Sequence, residues 1–137
     1  MTLTDTGPLL AALDKRDPHH AACIAVMRRL PPGPLLTTRP CFTEAMYLLG
    51  EVGGFRYQSL LWNMLESGKL EIQHLGPAEM ARMAELMRKY QDTPMDLADA
   101  SIVAAAELRG LRRVFTIDGD FRTNASPCDA GTGAPVG

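Results

Sequence analysis

Apolar positions along this 137-residue chain follow two alternating rhythms, short runs of period two and longer stretches of helical spacing. Thr2-Leu3-Thr4 is a β-prone run that ends at Asp5. Gly7-Pro8 breaks it, and Leu9, Leu10 and Leu13 then take helical spacing. Asp17-Pro18 predicts the start of a second helix, with Asp17 as N-cap and Pro18 in its first position. The apolar face of that helix is Ala22, Ile24, Val26, Met27 and Leu30, and Pro31-Pro32-Gly33-Pro34 ends it. Leu35 to Thr38 reads as a second strand. Pro40 opens a helix carrying Phe42, Ala45, Met46, Leu48 and Leu49, which Gly53-Gly54 separates from an amphipathic helix over Phe55 to Leu65. Lys69 to Gln73 alternates and predicts a third strand. Pro77 to Tyr90 is a helix with Met80, Met83, Ala84, Leu86 and Met87 at helical spacing, the methionines serving as core filler. Thr93-Pro94 begins a further helix that runs through Ile102, Val103, Ala106 and Leu108 to Gly110. Arg113 to Ile117 is the fourth strand and ends in the turn Asp118-Gly119-Asp120.

Strands that alternate with helices imply an α/β domain, with helices packed on a mainly parallel central sheet of four to five strands. The folded domain is expected over residues 1–122. From Thr123 the chain turns to Asn, Ser, Pro, Gly and Ala, so residues 123–137 are expected to form a disordered tail. No apolar run reaches the roughly 18 residues of a membrane helix. The start lacks the basic and apolar regions of a signal peptide, so the expected compartment is the cytoplasm and no membrane association is expected. The three cysteines, Cys23, Cys41 and Cys128, are odd in number and widely spaced, which argues against a disulfide framework or a thiolate zinc site. A net charge of −2 excludes a protein that holds nucleic acid by bulk positive charge. It does not exclude a nucleic-acid enzyme, because bound cations supply positive charge locally.

Ligand sites in parallel α/β sheets lie beyond the carboxyl ends of the strands. Asp5 follows the first strand and Asp118 the fourth, so both project at the same edge. Glu44 sits in an otherwise apolar helix, and Asp96 and Asp99, three apart, share a helix face. Such carboxylates suit hard, oxygen-seeking cations such as Mg²⁺ or Mn²⁺. Two such ions activate water and stabilise the leaving oxygen in phosphodiester hydrolysis. Each acid also has a plainer reading. Asp96 fits a Thr93-x-x-Asp capping box, whereas Asp99, deeper in the helix, has less access to a cap. Asp118 and Asp120 suit a turn, Asp5 could cap the first helix, and Glu44 could be a solvated helix residue. His19-His20 reads as an exposed pair rather than a metal site, and His74 as a surface residue. Arg112, Arg113 and Arg122 are placed beside the acidic edge, where they could meet phosphates or simply be solvated.

The segments Leu-Thr-Asp5-Thr6-Gly-Pro, Thr-Glu44-Ala, Asp96-Leu-Ala-Asp99-Ala-Ser-Ile-Val-Ala-Ala-Ala-Glu and Val-Phe-Thr116-Ile-Asp118-Gly-Asp120-Phe121 together resemble a PIN domain. The likeness runs over residues 2–122, is strongest from Asp99 to Phe121, and is greatest to the VapC-type toxins of toxin–antitoxin pairs. It implies a three-layer PIN-like fold and a metal-dependent endoribonuclease. The four acids holding Mg²⁺ or Mn²⁺ and supporting cleavage would be Asp5, Glu44, Asp99 and Asp118, with Asp96, Asp120, Thr6 and Thr116 as auxiliaries. RNA ends carrying a 5′-phosphate and a 3′-hydroxyl, a homodimer and a VapB-like antitoxin partner follow from the same resemblance. In one respect the chain departs from the pattern. Members continue into a final apolar strand, but Arg122 to Gly137 offers only Val136 as a large aliphatic residue, so the fifth strand is expected to be missing or replaced.

Three other readings compete. Asp5-Thr6-Gly7 spells the signature of a retroviral-type aspartic protease, but that fold is all-β. A phosphoryl-transfer domain of the receiver or haloacid-dehalogenase type would need a second acid beside the first strand, which Asp5-Thr-Gly lacks. A non-toxin PIN-like domain that binds RNA or protein without cutting would not need the four acids.

Overall fold

The computed structural model describes residues 1–117 and the backbone of residues 129–130. The elements run β1 (Thr2–Thr4), α1 (Thr6–Leu13), α2 (His20–Arg29), β2 (Leu35–Thr37), α3 (Arg39–Gly53), α4 (Phe55–Glu66), β3 (Leu70–Ile72), α5 (Pro77–Lys89), α6 (Leu97–Arg109), β4 (Arg113–Phe115) and β5 (Asp129–Ala130). The strands form one parallel sheet in the order β3-β2-β1-β4-β5. This is the α/β architecture expected, and its helical content removes the aspartic-protease reading. Where the fifth strand was expected to be missing or replaced, Asp129 and Ala130 form a two-residue strand opposite Arg113 and Val114 of β4; the rest of the expected tail, residues 123–137, lies outside the described residues.

Leu3 stands level with both Leu36 and Val114, so the three side chains share one face of the sheet. There they join Met83 and Leu86 of α5 and a buried run of α6 that includes Ala100, Ile102 and Ala105. Small residues let α6 lie close to the sheet while buried nearly all round. On the other face Leu35 and Leu70 pack with Leu9, Leu49 and Leu61 from α1, α3 and α4. Phe115 meets Ala11 and Cys23 there. Helices thus cover both faces, giving three layers. Each fully buried leucine contributes on the order of 1.5–3 kcal/mol. Among the described residues no helix is long and apolar enough to cross a membrane.

Three helix starts differ from expectation. α1 begins at Thr6, ahead of Gly7-Pro8, because first-turn amides have no intrahelical acceptor and Pro8 forfeits no bond. α2 begins at His20, since the Asp17 carboxylate accepts the His19 amide at 2.8 Å and holds a turn before the helix. Its buried anchor is Cys23, while Ala22 is exposed. α6 begins at Leu97 rather than near Thr93, because the preceding segment seats Met95 in the core. In α5, Met83 and Leu86 are core residues, but Met80 is 52% exposed and nothing in the structure explains its choice.

The chain runs outward from β1 to β2 and β3, then returns to place β4 on the other side of β1. That reversal opens a crevice at the carboxyl ends of β1 and β4, the usual ligand position in such sheets.

Candidate active site

Asp5 leaves β1 at this crevice. It occupies the N-cap position of α1, yet its side chain makes no capping bond. Its amide donates instead to the Phe115 carbonyl at 3.2 Å, tying the exit of β1 to β4. The Thr116 hydroxyl donates to Asp5 Oδ2 at 2.6 Å. Only 7% of Asp5 and 5% of Thr116 are exposed. A short O–H···O⁻ bond of this kind is about twice as strong as a neutral one and holds the carboxylate in one orientation.

Glu44 and the α6 acids are brought opposite Asp5 by a buried polar bolt that the sequence reading missed. Thr38 caps α3, accepting the Cys41 amide at 3.4 Å. Its hydroxyl lies 2.6 Å from Ser101 Oγ, and Ser101 donates in turn to the Ala98 carbonyl at 2.7 Å. Thr38 and Ser101 are fully buried. The chain of hydroxyls therefore fixes the first turn of α3 against the first turns of α6. The Thr-Thr-Arg-Pro segment before α3 was the available signal, since a threonine just ahead of a helical proline is a natural cap.

Asp96 is the N-cap of α6 itself, not the third residue of a helix begun at Thr93. Its carboxylate accepts the Asp99 amide at 2.9 Å, and Asp99 Oδ2 accepts the Asp96 amide at 3.3 Å. The capping box is thus Asp96 with Asp99. Contrary to expectation, Asp99 lies in the first turn and shares in the cap, leaving its Oδ1 outside that bond.

Asp5, Thr6, Glu44, Asp96 and Asp99 line one pocket of about 290 Å³, with Leu10, Leu48 and Ile117 as apolar wall. Gly7 makes room for Ile117 in the pocket lining, because a Cβ there would come within 2.8 Å of Ile117 Cγ1. Asp118 and Asp120 lie outside the described residues. Among the described residues no three acidic, histidine or cysteine side chains bracket one ion position. The donor set nevertheless suits a hard divalent cation, for it offers carboxylate oxygens without thiolate or imidazole, and Mg²⁺ takes only one or two carboxylates and keeps its waters.

Other candidates fall elsewhere. Arg113 begins β4 and stands opposite Asp129, so Arg112 and Arg113 lie at the amino edge of the sheet, the end away from the acids. That corrects their expected position, whose error lay in ignoring strand direction; Arg122 lies outside the described residues. His20 is not an exposed residue, since its Nδ1 sits 2.7 Å from the Ala11 carbonyl, while His19 stays exposed near Asp17. Burial pushes the Cys23 and Cys41 thiols up to about 11, with Asp17 and Asp5 adding to the effect at Cys23, and Asp5 at Cys41 against hydrogen bonds from Thr38, Thr6 and Ser101. Neither is a nucleophile at neutral pH.

The PIN-domain profile matches residues 2–126 of the chain. The chain belongs to the PIN-domain family. Among curated PIN relatives, Ribonuclease VapC26 of Mycobacterium tuberculosis is 29% identical over 116 residues, 85% of each chain. The PIN fold recurs in the crystal structure of Mycobacterium tuberculosis VapC20, described as a sarcin-ricin loop cleaving toxin. That structure has a TM-score of 0.82 and 19% identity, covering 90% of this chain and 94% of the other. A toxin–antitoxin complex from Klebsiella pneumoniae matches with a TM-score of 0.65 and 20% identity, covering 89% and 91%.

Proposed function

We propose that this PIN domain is an endoribonuclease of the VapC type, the toxin of a toxin–antitoxin pair, and that it works with Mg²⁺ or Mn²⁺. The observation that carries this reading is the convergence of Asp5, Glu44, Asp96 and Asp99 on one pocket at the carboxyl edge of a PIN sheet. The curated relative that is a ribonuclease and the neighbour taken from a toxin–antitoxin complex support the activity and the partner.

Asp5, Glu44 and Asp99 would hold the metal, together with Asp118. When bound, the metal lowers the pKa of water and offsets charge on the phosphoryl oxygens. The chain's own residues perform the rest. Thr116 keeps Asp5 oriented, so that no carboxylate rotation is needed as the reaction proceeds. Asp96 holds the first turn of α6 and so the position of Asp99. Leu10, Leu48 and Ile117 form the apolar wall against which the substrate would lie. Hydrolysis would break the P–O3′ bond, leaving a 5′-phosphate and a 3′-hydroxyl.

The test is RNA cleavage with Mg²⁺ or Mn²⁺ by the wild type beside Asp5→Asn and Asp99→Asn. Cleavage is expected from the wild type alone, stopping with EDTA and returning with metal. Equal activity in all three would sink the assigned roles. Toxicity is checked by expression: growth should arrest and recover when the neighbouring antitoxin is supplied, and normal growth with folded protein present counts against it. A homodimer is part of the same proposal, and a monomer mass in sedimentation would remove it.

A further inference from the structure

Glu44, Asp96 and Ala98 line two cavities at once: the acidic pocket, and an open groove of about 480 Å³ on the far side from Asp5. The groove runs between the first turns of α3 and α6, and its remaining walls are Arg39, Pro40, Thr43 and Leu97. Its chemistry differs from the pocket's. Besides the shared Glu44 and Asp96 carboxylates it holds one guanidinium, one hydroxyl and an apolar wall. The Arg39 side chain is exposed in a groove shared with two carboxylates, yet it forms no ion pair or hydrogen bond with any other described residue. Leu97 stands 46% exposed at the first position of α6, where a polar residue would serve the helix equally well.

We propose that this groove is the subsite for a nucleotide flanking the scissile phosphodiester, with Arg39 taking its phosphate and the Pro40–Leu97 wall taking its base. The inference builds on the ribonuclease reading and deepens it. A polyanion approaching an acidic pocket on a chain of net charge −2 needs a cation near that pocket. A guanidinium meets a phosphate through two parallel N–H bonds, and single-stranded bases settle on apolar or aromatic surfaces. The N-terminus of α3, capped by the neutral Thr38, adds partial positive charge beside Arg39. Arg39 and Glu44 are separated by about 7.5 Å of rise along α3. Both side chains line the same groove, so a strand lying in it meets both.

The test compares wild type, Arg39→Ala, Arg39→Lys and Leu97→Ser in steady-state cleavage of a short mixed-sequence single-stranded RNA over a range of salt. Arg39→Ala should raise KM about tenfold, as loss of a charged hydrogen bond does, with kcat within about twofold. It should flatten the plot of log affinity against log salt by about 0.7, the slope of one phosphate contact on a single strand. Arg39→Lys should restore the slope but only part of the affinity, and Leu97→Ser should raise KM without touching the slope. A wild type that cuts RNA while Arg39→Ala keeps its KM and salt slope overturns this inference and leaves the ribonuclease reading standing. A raised KM with an unchanged slope overturns the phosphate assignment, because a merely structural role would produce it. A wild type that neither binds nor cuts RNA overturns both.

Discussion

Replacing Thr116 with valine tests whether Asp5 is held in place from within the protein. Valine nearly matches the volume of threonine, so the change removes a hydroxyl without opening a cavity. What is lost is the 2.6 Å bond to Asp5 Oδ2, between two side chains that are each more than nine-tenths buried. A hydrogen bond to a charged group contributes about 1.5–3 kcal/mol, against about 0.5–1.5 for a neutral pair. Thr116→Val should therefore cost about 1.5–3 kcal/mol, and lower Tm by roughly 5–12 °C for a domain of this size. The same change made in an Asp5→Asn background should cost only the neutral figure, about 0.5–1.5 kcal/mol. Urea unfolding of the four proteins of the cycle, in EDTA at neutral pH, measures both numbers. A Thr116→Val cost equal in the two backgrounds refutes the reasoning. So does a cost below about 0.5 kcal/mol in the wild-type background.

Asp96→Ala should lose about 1 kcal/mol with its cap, whereas Asp96→Asn should stay close to wild type, because asparagine caps as well as aspartate. If Asp96 serves chiefly as a cap, Asp96→Asn also retains most cleavage activity while Asp99→Asn does not, and abolished activity in Asp96→Asn would make its charge part of the site. Gly7→Ala, whose Cβ would meet Ile117 Cγ1 at 2.8 Å, should displace Ile117 at the pocket and lower kcat/KM. Ile117→Ala in the same chain should recover the activity, and failure to recover it removes the steric account. Cys23 and Cys41 hold their protons up to about pH 11 in the folded protein, against an ordinary 9.0. The unfolded chain therefore releases protons first, so stability is fully present below pH 9 and falls between about 9 and 11. Urea titrations of wild type and Cys41→Ala across that range check the sign, and a wild-type stability that rises with pH there contradicts it.

The strands and helices were legible because each carries its own period. The four three-residue strands β1 to β4 lie within the predicted runs, and the helices differ from expectation mainly at their starts. Those starts were misplaced where a local rule met a packing demand. Thr93-Pro94 looks like a helix opening, but Met95 must reach the core, so the helix waits for Asp96. Asp5 and Asp118 were drawn to one edge because parallel strands deliver their exits there, whereas Glu44, Asp96 and Asp99 stood out only on their helices; the pocket brings Asp5, Glu44, Asp96 and Asp99 together, and Asp118 lies outside the described residues. Thr116 was proposed as an auxiliary, though the sequence alone did not reveal the bond it makes. The bolt of Thr38 and Ser101 was invisible, because two hydroxyls 63 positions apart carry no local pattern. Arg112 and Arg113 were drawn to the wrong edge because nearness to Asp118 in sequence was mistaken for nearness in space, although a strand separates them.

The bond between Thr116 and Asp5 joins positions 111 residues apart. The ribosome adds roughly 5–20 residues each second, so Asp5 waits on the order of 6–20 seconds before its partner exists. Until β4 is made and slides in beside β1, the crevice has one wall and Asp5 has neither the amide contact to Phe115 nor the hydroxyl of Thr116. The acidic pocket thus waits on the last of the four strands β1 to β4. The two walls of the crevice therefore meet only after β4 has followed β1, α3 and α6 out of the ribosome.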